Sequence, residues 1–168
     1  MKQSFQIANV FGIPIEINYT WIVIFLLITW SLAVGFYPFM LPNFSERVYW
    51  ASAIISTLLL FFSLLLHELA HSIVAINNGV PIKKISLFIF GGVAQMAKDP
   101  DDPVSELKIS IAGPICSLVI AMLCFLIVFF LPEKRIAKIF SSILIYTAFV
   151  NMAIVFFNLI PGFPLDGG

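Results

Sequence analysis

Phe61-Phe62-Ser63-Leu64-Leu65-Leu66-His67-Glu68-Leu69-Ala70-His71-Ser72-Ile73-Val74-Ala75-Ile76 lies inside a long apolar run and holds both histidines of a 168-residue chain. A membrane-spanning helix needs about 20 mostly apolar residues. Four stretches qualify: residues 19–37, 49–66 with a continuation to 76, 109–131 and 139–160. Glu68 is the one Lys, Arg, Asp or Glu in any of them. The chain is 61% hydrophobic and 11% charged, with a mean hydropathy of +1.06. Soluble domains carry about 25% charged residues. The sequence therefore predicts a membrane protein, an all-α polytopic bundle of about four transmembrane helices. Nine Lys/Arg balance nine Asp/Glu. That balance lacks the basic footprint a phosphate backbone demands and excludes nucleic acid as a partner.

Two polar segments break the pattern. Residues 84–90 are rich in β-branched and aromatic side chains and lead into Gly91-Gly92, which fits a short strand and turn. Residues 5–18 read similarly, with Ile13, Ile15 and Ile17 alternating and with breaks at Gly12 and Pro14. Both are expected as short β-strands at the membrane surface. Asp102-Pro103 supplies an N-cap and a first-turn proline for the third helix. Cys116 and Cys124, eight residues apart on one helix, would sit ~12 Å apart, too far for a disulfide. Charge counting does not orient the bundle: Lys2, Lys83, Lys84, Lys98 and Lys108 face one side, and Arg47, Lys134, Arg135 and Lys138 the other.

In His67-Glu68-Leu69-Ala70-His71 the histidines are four residues apart, with a glutamate after the first. Random placement of these residues gives that pattern about once in 3,000 shuffles, so the motif is specific. On a helix, positions i and i+4 share a face, so both imidazoles can reach one zinc ion while Glu68 stands ready to take a proton from its water. Hydrolytic zinc keeps three protein ligands. The candidate for the third is Asp166, in Asn158-Leu159-Ile160-Pro161-Gly162-Phe163-Pro164-Leu165-Asp166-Gly167-Gly168. Pro161 and Pro164 each remove a backbone donor, so the fourth helix is expected to break around Pro161. Irregular backbone at membrane depth is tolerated where protein or a water-filled cavity covers it, as a hydrolytic site requires.

These two motifs together resemble the site-2 protease family of intramembrane zinc metalloproteases. Gly12-Ile13-Pro14-Ile15, Gly91-Gly92-Val93-Ala94 and Ala112-Gly113-Pro114 with Ser117 agree with it, and the match runs from about residue 5 to the end. The resemblance implies zinc held by His67, His71 and Asp166, Glu68 as catalytic carboxylate, and Asn158 as a substrate-positioning or oxyanion-stabilising residue. It implies a multi-pass protein of the cell membrane, with its active site nearer the cytoplasmic face. It further implies cleavage of peptide bonds in or near transmembrane segments of other proteins. The expected partners are such a substrate and membrane lipid, with self-association left open. Leu87, Phe88, Gly91 and Gly92 are expected to receive the unwound substrate, the strand edge replacing the hydrogen bonds of its former helix.

Residues 1–168 read as one transmembrane metalloprotease core. The subgroup it most resembles continues beyond Asp-Gly with more helices and a pair of cystathionine-β-synthase-type repeats, so the sequence reads as truncated there. Two other functions fit the composition. A metal-ion transporter also uses broken helices and buried ligands, but transport gives no reason for a non-ligand glutamate beside the first histidine. A catalytically inactive membrane chaperone would not need the motif intact.

Overall fold

Backbone donors and acceptors in the apolar stretches have no partners in lipid except one another, so these stretches close into helices. In the computed structural model, which describes residues 4–89, 91–100, 102–132 and 134–160, they form four rods. The first joins α1 (Thr20–Ser31), a π-helical turn (Leu32–Phe36) and α2 (Tyr37–Met40). The others are α3 (Glu46–Asn77), α4 (Pro103–Phe130) and α5 (Arg135–Asn158). All four rods are long and apolar enough to cross a membrane, with mean hydropathies of 2.0 to 2.7.

Helix limits differ from the sequence reading for local reasons. The first rod passes Pro38 instead of stopping at Tyr37, because the wider π turn has Tyr37 N–H donating to Leu32 O, five residues back. That shift eases the crowding that a proline ring causes in regular α geometry. Helix α4 begins at Pro103, ahead of its apolar run. Asp102 caps it, its carboxylate accepting from Val104 N and Ser105 N at 3.0 Å each. The Ser105 hydroxyl, also donating to Asp102, holds that carboxyl below its usual pKa. Helix α5 ends at Asn158, earlier than expected, since the residue preceding a proline disfavours α geometry and Pro161 is close.

The strands β1 (Ser4–Val10), β2 (Ile13–Asn18), β3 (Ile82–Phe88) and β4 (Gly91–Met96) form one sheet in the order β1-β2-β3-β4. Phe11 and Gly12, with φ of 52° and 81°, turn β1 back onto β2. β2 runs parallel to β3, Ile15 facing Ile85 and Ile17 facing Leu87, and β3 runs antiparallel to β4. Ile13 and Ile85 of the sheet pack on Leu69, with Leu65 and Leu66 at the margin of the same cluster. The sheet therefore rests on the segment of α3 that carries the histidines.

Small and polar side chains tie the helices together, as is usual where lipid offers no hydrophobic drive for helix association. Ala121 and Ala148 bring α4 and α5 into close contact. Thr29 Oγ1 bonds Thr57 Oγ1 at 3.0 Å, and Tyr37 bonds Ser56. Asn151 Nδ2 donates to Ser63 Oγ at 3.0 Å, joining α5 to α3, and to Thr147 O at 2.9 Å. Both cysteines are free thiols, as their spacing requires. Asn151→Ala should lower stability by about 0.6–1.7 kcal/mol, the range of measured interhelical hydrogen bonds in membranes, read from unfolding in mixed micelles.

Candidate metal centre

His67 and His71 project from one face of α3 and are both buried. Their Nε2 atoms lie 3.1 Å apart and their rings meet edge to face at 76°. Each Nδ1 has its own partner: His67 Nδ1 lies 3.0 Å from Ser117 Oγ, and His71 Nδ1 lies 2.6 Å from Ile109 O. A carbonyl only accepts, so His71 Nδ1 carries the proton and Nε2 presents its lone pair. Hydrogen-bonded Nδ1 with convergent Nε2 is the arrangement of metal-ligating histidines. Two nitrogens bound to zinc at 2.0–2.1 Å in tetrahedral geometry are about 3.3 Å apart, so the pair fits one zinc ion.

Helix α4 closes over this pair at Gly113. A Cβ there would stand 2.5 Å from His67 Nε2 and closer still to His71 Nε2. Only a residue without a side chain lets the helix backbone reach the imidazoles. On the other side, Gly92 of β4 does the same for the glutamate, since a Cβ there would meet Glu68 Cγ at 2.6 Å. Ala94 N–H donates to Glu68 Oε2 at 3.1 Å, anchoring the half-buried carboxylate beside the histidines. Glu68, His71, Gly92, Ala94, Ile109 and Ser110 line a cavity of about 330 Å³ that opens outward.

Asn158 Nδ2, at the end of α5, lies 3.3 Å from His67 Nε2. Three helices and the sheet thus bring His67, His71, Glu68 and Asn158 together. Among the described residues no group of three or more His, Cys, Asp or Glu is placed to hold a metal. Asp166, the expected third ligand, lies outside the described residues. Leu87 does not present the open strand edge expected of it: it is buried and pairs with Ile17 of β2 on one side and Gly92 of β4 on the other, while the neighbouring Phe88 pairs with Gly91 of β4. The β-branched and aromatic content of residues 84–90 pointed to a strand but could not show which strand would be central. Ile109 O was invisible in the sequence because any residue supplies a carbonyl. Gly113 had a visible signal, a glycine inside a membrane-spanning helix, with no indication of what it approached.

The chain belongs to peptidase family M50, whose family model matches residues 55–141. A protein of Synechocystis sp., named provisionally as a zinc metalloprotease, is 36% identical over 168 residues. A zinc metalloprotease of Methanocaldococcus jannaschii is 38% identical over 169 residues. Both alignments take in the whole of this chain, which spans 43% and 44% of those two relatives. A solved site-2 protease from Methanocaldococcus jannaschii superposes with a TM-score of 0.68 and 35% identity, over 98% of this chain and 68% of that one. Family and fold together make this a multi-pass membrane protein of the site-2 protease class.

Gly113→Ala should separate the imidazoles while leaving α4 intact. Metal analysis of the purified variant is expected to show well below the zinc content of the unaltered protein, with unchanged helical circular dichroism. Equal zinc in both would contradict the close packing.

Proposed function

We propose that this chain is the catalytic core of an intramembrane zinc metalloprotease that cleaves peptide bonds in or near transmembrane segments of other membrane proteins. The observation that carries the reading is the convergence of two Nε2 atoms beside a separately anchored glutamate, with His71 and that glutamate bordering one open cavity. A transport site has no use for that glutamate. In this reading His67 and His71 hold zinc with Asp166, which the family pattern supplies. Bound zinc would supply a water with its pKa lowered to about 7 and a Lewis acid for the scissile carbonyl.

The chain's own groups do the rest. Glu68, held by Ala94 N–H, accepts the proton of the attacking water and passes it to the departing amide nitrogen. Asn158 offers a neutral donor near His67, placed to steady the oxyanion that develops on the substrate. Ala94 N–H points away from β3, so the two-residue period of a strand puts Gly92 and Met96 on the same outer edge of β4. That edge, and not β3, is where an unwound substrate lies alongside the site. In this reading the protein sits in the cell membrane with the cavity nearer its cytoplasmic face, as the resemblance to the site-2 protease family implies.

Glu68→Gln keeps the shape and loses the base. Zinc content should stay near one per chain, while cleavage of a single-span substrate co-expressed with the protein falls by about 10²–10⁴. Undiminished cleavage would refute the reading. Asn158→Ala is expected to keep its zinc and turn over about 10²–10³ more slowly, the usual cost of one oxyanion donor. Zinc loss from that variant would assign Asn158 to holding His67 in place.

A further inference from the structure

Glu106 lines the same cavity as Glu68 and His71 and has no part in the reaction described above. It stands in the first turn of α4 with its side chain exposed, where the helix dipole favours a carboxylate. Among the described residues no Lys or Arg lines this cavity, whose wall carries two carboxylates, Glu68 and Glu106. The face of α4 that begins at Glu106 continues through Ser110, also in the cavity wall, to Gly113 against the imidazoles. Spacings of four and three residues keep these positions on one stripe.

Seven residues of helix separate Glu106 from Gly113, a rise of about 10 Å. An extended peptide advances about 3.3 Å per residue. A substrate laid through the cavity with its scissile bond at the histidines therefore brings a side chain roughly three residues away to Glu106. The opposite wall agrees in length, since β4 runs from Gly92 beside Glu68 to Met96, four residues along the same cavity. We infer that Glu106 selects substrates with a Lys or Arg about three residues from the cleaved bond. Basic residues are enriched just outside spanning segments on the cytoplasmic side, so this is a feature many single-span proteins can offer. The inference rests on the protease reading above.

The test uses the zinc-loaded full chain in lipid nanodiscs. The reporters are single-span proteins with a short Gly/Ser juxtamembrane stretch, in which one Lys, Gln or Glu is moved position by position. At one position the unaltered protein should cleave the Lys reporter about threefold to tenfold faster than the Gln reporter, and the Glu reporter slowest, as a partly exposed charge pair allows. The preference should shrink as salt rises to roughly 0.5 M. Glu106→Gln should flatten the ranking, and Glu106→Lys should invert it. Binding of the same Lys, Gln and Glu stretches as fluorescent peptides to Glu68→Gln protein should rank the same way without any turnover. Glu68-dependent cleavage with an identical ranking in all Glu106 variants overturns the role of Glu106 alone. Absence of Glu68-dependent cleavage of every reporter overturns the protease reading, and the role of Glu106 with it.

Discussion

Water must reach a carboxylate and two imidazoles carried on a helix whose other residues are chosen to exclude it. Everything around α3 answers that constraint. A charged or metal-ligating group in hydrocarbon is costly, so His67 and His71 are enclosed by α4 and tied through Nδ1 to Ser117 and Ile109 O. Glu68, next along the helix, is held on its other side by the sheet, through Ala94 N–H. One turn of α3 is thus clasped between α4 and β4, with His71 and Glu68 both bordering the open cavity.

The clasp depends on two missing side chains. Gly113 lets a helix touch the imidazoles, and Gly92 lets a strand touch the glutamate. Neither glycine has a positive φ, so backbone freedom is not why they are needed. Close approach is. Gly91, at φ 133°, is the one beside them that adopts a conformation other residues avoid, and it starts the strand that carries Ala94 to Glu68.

How far the sequence could be read follows from which features are local. Four apolar stretches gave four helices because length and composition alone decide a span. The histidine pair was legible since i and i+4 spacing forces a shared face. The cap at Asp102 was legible for the same local reason. The π turn was not, because it reconciles Pro38 with a helix whose packing against α3 continues past it, a tertiary demand. The central position of β3 was also hidden: its second neighbour, β2, comes from the other end of two spanning helices. The contacts of Gly92 and Gly113 join residues far apart in the chain, and no pattern within one segment encodes them.

The parallel pairing of β2 with β3 has a bearing on how the protein is made. Hydrogen-bonded strands must lie on the same side of the bilayer, so the rods between them have to cross it an even number of times. Two do. Loop charge is nearly balanced across this chain, yet β2 reaches β3 only if both crossings have been completed, and a chain that misses one of them leaves β2 without its neighbour. At the ~5–20 residues per second of synthesis, the N-terminal hairpin waits several seconds at the surface before β3 emerges. The four-stranded sheet is thus completed only on chains in which both spanning segments lie across the membrane, whereas the β3–β4 hairpin that anchors Glu68 is local in sequence.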